Sequence, residues 1–533
     1  MITRLLQRDP LLWTFWLGLL ALVAFASRSY IPIDETRYLS VAWEMWLRGD
    51  FLVPFKNGEP YSHKPPLLFW LMHAGWLVTG VNEWWPRLIT PLLALACLFM
   101  VRRIATLLWP NLSQVARLSP WILLGSFLWA LYSQGIMFDL LLAVWVVLGI
   151  LALVLASRGQ RLAWVLFAVA LGLGVLAKGP AVLLRLLPPA LLAPWWLGRG
   201  GADWKKWYGH FFLAVLAGTA LALLWAIPAG YHGGEEYRNA IFWGQTANRM
   251  VQSFAHNRPF WWYLPLLPLL LYPWLLWPAL WRRVAGINLE MDAGQRLMLA
   301  WMLPSFLAFS LISGKQVHYL LPEFPAFALL AGRLLANDRN ISRPWLPALA
   351  LTAVGALLLF LPYLKLPENS KALAQVPAWG GYAFLALSAW LALQRGTPER
   401  ITARLATTSL MAMMLVHLLL IHPLSPAYDV RPISRAIADL QAQGRPIANV
   451  GEYHAQFQFA GRLRQPLQVL RHGQEASDWL TANPGGVAVL YFPMKTDLRP
   501  YHPLFTQPYR GETAALFNAS QALALLAQSV QPE

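Results

Sequence analysis

The chain is nearly devoid of cysteine and poor in charge. Cys97 is the single cysteine among 533 residues and lies in an apolar run, so no internal disulfide forms. Charged residues make up 13%, against about 25% in soluble domains. Acids are the scarcer sign: 25 Asp and Glu stand against 42 Lys and Arg, a formal charge of +17. No glycine-rich phosphate loop is present, so nothing in the chain demands a nucleotide. No internal repeat gives support to an inverted-repeat transporter. The basic N-terminal flank and apolar run lack a small-x-small cleavage site, which reads as an uncleaved first span.

Apolar residues fill what is left. They make up 57%, with 29 Trp and 40 Pro, and the mean hydropathy is +0.45. A bilayer crossing takes about 20 apolar residues, and the sequence divides into about thirteen such runs. They cover residues 11–26, 85–100, 120–137, 140–155, 162–177, 180–197, 210–229, 260–281, 297–313, 319–335, 345–364, 380–393 and 405–421. Arginine clusters recur at every second connection, the pattern of cytoplasmic loops. The basic residues therefore report topology, not nucleic acid, although a cationic cavity for an anionic lipid head could use some of them. Arg4 and Arg8 put the N-terminus on the cytoplasmic side.

Between the first two spans lies a polar loop, residues 30–84, with short amphipathic helices expected at 35–47 and 65–78. A longer polar loop is expected at 230–259. After residue 422 helix and strand patterns alternate. Helices are expected at 431–443, 476–482 and 520–528, and strands at 446–450 and 487–492. The fold class is thus an α-helical polytopic membrane protein, residues 1–422, with a small α/β domain at 423–533. An odd number of spans places that domain outside the cytoplasm, beside the first loop. His454, His472 and His502 within it read as surface histidines.

Ionisable residues near a bilayer usually line a protein or water cavity. Here they collect on the outer side: Asp34, Glu35 and Arg37, then Tyr61, His63 and Lys64, then Asp139, Lys178, His256 with Arg258, and Lys315 with His318 and Tyr319. The cations Lys64, Lys178, Arg258 and Lys315 suit a phosphate, and Tyr319 could donate to one of its oxygens. Asp34 and Asp139 could act as a base or orient a hydroxyl. His63 and His256 could pair on a metal, or be ordinary hydrogen-bonded histidines.

IDETRY at 33–38 and YSHKPPLLFW at 61–70, with FD at Asp139, AKGP at Lys178, AHNRPFWWY at His256 and GKQVHYLLPEFP at Lys315, resemble the bacterial branch of the GT-C glycosyltransferases. That group holds the aminoarabinose transferases of lipid A and the protein O-mannosyltransferases. The resemblance implies an enzyme of the inner membrane with a periplasmic C-terminal domain. It would transfer a sugar, by direct displacement with inversion, from a polyprenyl-phosphate carrier to a glycolipid, polysaccharide or protein acceptor. It implies a catalytic carboxylate at Asp34, supported by Glu35 and Asp139, and carrier or sugar contacts from Arg37, Tyr61, Lys64, Lys178, Arg258, Lys315 and Tyr319. One position departs: the aminoarabinose branch has a metal-binding glutamate before the KPP lysine, and this chain has His63. Zinc on His63 and His256 is the corresponding expectation, and the sugar stays open. A transporter or flippase of lipid-linked saccharides is the competing reading. It calls for ionisable residues along the spans, whereas these gather at one face.

Overall fold

The computed structural model describes residues 2–243, 257–285, 290–364 and 376–529. Seven segments are long and apolar enough to cross a membrane: Asp9–Ser27, Trp84–Leu108, Phe138–Ala156, Ala163–Leu191, Trp204–His232, Trp345–Tyr363 and Pro398–Ala442. The other expected spans are shorter helices or broken ones. Residues 260–281 fall into short pieces, Leu264–Leu266, Leu267–Leu270, Trp274–Leu276 and Pro278–Ala285. Pro265, Pro268, Pro273 and Pro278 remove the donors that a continuous helix needs. The run at 120–137 breaks at Ser126, whose extended backbone separates helix Ser113–Gly125 from Phe127–Tyr132. There the Phe127 N–H donates to the Tyr272 carbonyl at 3.0 Å and Trp274 Nε1 to Ser126 Oγ at 3.0 Å, so two interrupted segments satisfy each other. The expected polar loop at 230–259 is helical at its start. Helix Trp204–His232 runs past residue 230, and Gly234–Asn239 forms another turn and a half.

The first helix, α1 (Ile2–Ser27), leads into the first loop. That loop carries α2 (Asp34–Arg48), the hairpin β1 (Phe55–Lys56) and β2 (Glu59–Pro60), and α3 (Leu67–Thr79). Gly49 ends α2 in the left-handed conformation, φ 65°, which only glycine adopts freely. The hairpin turns on Asn57 and Gly58, φ 54° and 91°, the residue pair that a two-residue turn with two positive φ values favours. Leu39, Val41, Ala42 and Met45 of α2 pack with Leu68, Phe69 and Met72 of α3 in one apolar cluster.

The C-terminal unit is a five-stranded sheet of order β4-β3-β5-β7-β6. Its strands are β3 (Ile447–Val450), β4 (Gln468–Leu470), β5 (Val487–Pro493), β6 (Phe505–Tyr509) and β7 (Glu512–Asn518). Strands β3, β4 and β5 are parallel, and β7 runs antiparallel to both of its neighbours, β5 and β6. Alternate residues feed two cores. Val487, Val489, Ala514 and Leu516 meet the helix Arg431–Ala442 on one face; Ala488, Leu490, Ala515 and Phe517 meet Gln474–Ala482 and Ala519–Ser529 on the other.

This unit sits on the first loop. Ser40 Oγ of α2 donates to the Ala455 carbonyl at 2.6 Å, and Trp43 Nε1 to the Leu463 carbonyl at 2.9 Å. Asn57 of the hairpin turn donates to the Leu467 carbonyl at 2.9 Å and accepts from the Leu467 N–H at 2.9 Å. Phe459 stacks on Trp76 of α3, ring centroids 5.5 Å apart. The loop and the α/β unit therefore share one end of the bundle.

Candidate functional site

The site begins where α1 ends. Arg28 and Glu35 are both buried and form a bidentate pair, Nη1 to Oε2 at 2.5 Å and Nη2 to Oε1 at 2.9 Å. Glu35 also accepts from the backbone N–H of Ile31 at 2.8 Å and of Ile136 at 2.9 Å. Arg28 donates to the Gln134 carbonyl at 2.9 Å. Burial alone would raise the Glu35 carboxyl, but the Arg28 charge and these donors outweigh it and hold the group below its ordinary value. Both carboxylate oxygens are committed. Glu35 is thus a staple between the loop and residues 134–136. It pins the loop to the segment that leads into Asp139.

Asp34, next in line, points elsewhere. Its Oδ1 accepts from the Arg37 guanidinium and from Tyr38 Oη at 3.3 Å, and its side chain is half exposed. Tyr38 packs edge-on against Phe138, centroids 4.9 Å apart. Lys64 lies with its ammonium 5.5 Å from the Phe138 ring centre and 6.0 Å from that of Tyr38. Two prolines follow it before α3 begins at Leu67. Tyr61 is buried and stacks on His63, centroids 5.3 Å apart and 11° between planes.

Asp139 lies in the first turn of the helix Phe138–Ala156, where a carboxylate is favoured by the helix N-terminus. It is buried and paired with Lys178, in the last turn of helix Ala163–Lys178. Lys178 also sits 4.7 Å from the Tyr319 ring centre. His318 Nε2 is 3.9 Å from Asp139 Oδ2, and its ring is 5.6 Å from that of Tyr132. Burial is the main force that lowers His318, to about 4, against the opposing Asp139; Lys178 and Lys64 add to it. The imidazole is therefore neutral at neutral pH. Asp34, Lys64, Asp139 and Lys178 all act electrostatically on His318, which makes it the meeting point of the four segments.

One expected cation is engaged with the backbone. Lys315 is buried, and its ammonium donates to the Arg258 carbonyl at 2.9 Å and the Ile312 carbonyl at 2.5 Å. It ties the Arg258 backbone to residues 312–315, where the sequence suggested a phosphate contact. Arg258 is exposed, with its guanidinium 5.8 Å from the Trp262 ring centre. His256 lies outside the described residues. Among the described residues no three His, Cys, Asp or Glu converge on a metal position. Of the expected zinc pair only His63 is described, so no step is assigned to a metal.

Sequence reasoning missed the supports behind the site. Arg185 is buried inside an apolar run; its Nε pairs with Glu323 at 2.8 Å and its Nη2 donates to the Tyr319 carbonyl at 2.6 Å. A charge within a span is itself a signal, and Arg185 carried it. Arg28 gave a weaker one, since it reads as an interface residue.

Residues 63–232 match the dolichyl-phosphate-mannose-protein mannosyltransferase family. The chain is similar to undecaprenyl phosphate-alpha-4-amino-4-deoxy-L-arabinose arabinosyl transferases. The Pseudomonas aeruginosa protein is 32% identical over 314 residues, 57% of this chain and 55% of that one. The Edwardsiella ictaluri protein is 31% identical over 300 residues, 54% and 52% of the two chains. The chain thus spans about half the length of these relatives in sequence. In fold the likeness is wider. ArnT from Cupriavidus metallidurans, solved bound to undecaprenyl phosphate, superposes with a TM-score of 0.71 at 21% identity, covering 95% of this chain and 98% of that one. The chain thus shares the fold of that protein over nearly all its length, and its sequence matches the mannosyltransferase family over residues 63–232.

Proposed function

We propose that the chain is an integral-membrane glycosyltransferase. It moves a sugar from a polyprenyl-phosphate carrier to an envelope acceptor, a glycolipid, polysaccharide or protein, on the outer face of a bacterial inner membrane. The observation that carries this reading is the convergence of Asp34, Lys64, the Asp139–Lys178 pair, His318 and Tyr319 from separate helix ends. A half-exposed carboxylate next to cations beside a bilayer suits transfer from a lipid phosphate. The names of the sequence relatives and the ligand in the Cupriavidus metallidurans protein support it.

In this scheme Asp34 accepts the proton of the acceptor hydroxyl as that oxygen bonds to the anomeric carbon. The bond from that carbon to the phosphate oxygen breaks, and polyprenyl phosphate leaves with the electron pair. Lys64, Lys178 and Arg258 hold the phosphate and stabilise the charge that develops on it. Arg37 and Tyr38 orient the Asp34 carboxylate; Tyr61 and Tyr319 flank donor and acceptor. Asp139 fixes the Lys178 ammonium and Glu35 fixes the loop. The N-terminus is cytoplasmic and the α/β unit periplasmic. The test is to incubate purified protein with undecaprenyl-phosphate-4-amino-4-deoxy-L-arabinose and envelope glycolipid, and to follow both by mass spectrometry. Release of undecaprenyl phosphate with equal gain of sugar mass in the acceptor supports transfer. Passage of intact donor across proteoliposomes without cleavage would support the flippase reading instead.

A further inference from the structure

Two ring side chains at the site take no part in the scheme above. Tyr132 closes the helix Phe127–Tyr132, and His318 lies in the 3₁₀ turn Val317–Glu323. Their rings meet with centroids 5.6 Å apart. His318 also packs edge-on against Tyr319 at 4.9 Å, and the Lys178 ammonium lies 4.7 Å from the Tyr319 ring centre. The rings thus form one wall that leads from Tyr132 to the Lys178 ammonium. Asp139 lies beside it, Oδ2 at 3.9 Å from His318 Nε2, beyond a hydrogen bond. Buried ion pairs brace both segments from behind. Arg28 donates to the Gln134 carbonyl and Glu35 accepts from the Ile136 N–H, each at 2.9 Å, just after Tyr132. On the other side Glu323 belongs to the turn that carries His318, and its partner Arg185 donates to the Tyr319 carbonyl at 2.6 Å. Such pairs add little net stability; what they secure here is position.

What is held so firmly is left unbonded. Neither the Tyr132 hydroxyl nor either His318 nitrogen has a hydrogen-bond partner among the described residues, and none of these atoms is sealed inside the protein. Tyr132 is half-buried and the His318 side chain is 17% exposed. A wall that served packing alone would not leave a hydroxyl and two ring nitrogens unpaired. The imidazole is neutral at neutral pH, as shown above, and a phenol carries no charge there either. Two uncharged groups that can each donate and accept match sugar hydroxyls. An ammonium between them would find no free counter-charge in Asp139, the carboxylate that His318 approaches, because Lys178 already pairs with it. An unpaired charge in such a place is costly.

We infer that Tyr132 and His318 hold the transferred sugar by its hydroxyls, and that this sugar is a neutral one, not an amino sugar. The inference rests on the transferase reading and adds the class of sugar to it. A carrier phosphate on Lys178 sits at one end of the wall, so the sugar ring attached to it lies along the wall, with its hydroxyls towards Tyr132 and His318. Asp34 acts electrostatically on both groups, as befits the place where the new bond to the sugar forms. The sequence relatives bear an amino sugar in their names, so the inference marks a difference from them.

The test measures binding to the full chain in phosphatidylcholine nanodiscs, without acceptor. The probes are undecaprenyl phosphate and the same carrier bearing L-arabinose, D-glucose, D-mannose or 4-amino-4-deoxy-L-arabinose. Arabinose and its 4-amino form differ only where a hydroxyl becomes an ammonium. In the wild type the best neutral carrier binds about tenfold or more tightly than both bare carrier and the amino form, the scale of one or two hydrogen bonds. Tyr132→Phe and His318→Phe keep the rings and remove the polar atoms. Each weakens that neutral carrier about tenfold and leaves bare carrier within about twofold. An amino form bound at least as tightly as the best neutral carrier overturns the inference, and so do neutral carriers bound no better than undecaprenyl phosphate. Variants that keep the preference overturn it too, as does an equal loss of bare carrier, which would assign the wall to the phosphate. A wild type that binds the carrier in none of these forms contradicts the transferase reading itself. If His318→Phe melts below wild type, Tyr132→Phe, which removes a single hydroxyl, carries the test.

Discussion

Asp34 and Glu35 are neighbours with opposite expected phenotypes. Each Glu35 oxygen faces two donors: Oε2 meets Arg28 Nη1 and the Ile31 N–H, Oε1 meets Arg28 Nη2 and the Ile136 N–H. Whichever oxygen an amide NH2 replaces in Glu35→Gln, two donors lose their acceptor and Arg28 is left buried without a counter-charge. Breaking a buried pair in this way costs about 3–5 kcal/mol, a large share of the roughly 5–15 kcal/mol that holds a typical domain. The melting midpoint in detergent should fall by about 5 °C or more, and expression with it. Asp34→Asn touches a half-exposed pair with Arg37, and such pairs contribute about 0–1 kcal/mol. That variant should melt within about 2 °C of wild type. Scanning fluorimetry of the purified variants reads both. A Glu35→Gln protein that melts like wild type yet transfers no sugar would refute the assignment and move the chemistry to Glu35.

Other consequences follow from the supports and the cations. Arg185→Met strands Glu323 in the bundle and should destabilise by about 3–5 kcal/mol, whereas Arg185→Met/Glu323→Leu should recover most of it; melting curves of the pair decide. The double variant should still show a raised donor KM, because the Tyr319 carbonyl has lost the Arg185 hydrogen bond. Lys64→Ala should weaken undecaprenyl phosphate binding by about 10- to 100-fold, the range of a hydrogen bond to a charged group, and acceptor binding less; equal losses contradict a carrier role. His318 is lowered to about 4 in the folded protein, against an ordinary 6.5. The unfolded chain then binds the extra proton first, so His318 favours folding fully above about pH 6.5 and loses that contribution as pH falls towards 4. The melting midpoint of His318→Gln should therefore depend less on pH than wild type over that window. Equal pH profiles would show that the imidazole is not buried as described.

Much of this architecture was legible because it rests on local pattern. Apolar runs gave the bundle, Trp-rich amphipathic turns gave α2 and α3, and Gly444 marked the end of the helix Arg431–Ala442. What the sequence hid depends on distant partners. The break at Ser126 is stable because the Tyr272 carbonyl and Trp274, some 150 residues away, satisfy it. The hairpin of β6 and β7 turns at Arg510 and Gly511 between strands with little alternation, so only the neighbouring β5 reveals it. At the site, residue type pointed to segments but not to roles. Asp34 and Glu35 look alike in a string, and only burial, with the donors from Arg28, Ile31 and Ile136, separates a committed carboxylate from an accessible one. Lys315 looked like Lys64 until its ammonium was found on two backbone carbonyls. The seam between α2 and the α/β unit carried no signal at all, since the Ser40–Ala455 bond joins residues 415 positions apart.

The most direct measurement is release of undecaprenyl phosphate from its sugar-loaded form by purified wild type and Asp34→Asn in the presence of acceptor, with carrier affinity measured in parallel. Removing a general base typically slows reaction by about 10²–10⁴-fold, so the variant should bind undecaprenyl phosphate as wild type does and release it at least about a hundredfold more slowly. Release at the wild-type rate by folded Asp34→Asn would contradict the account at its centre.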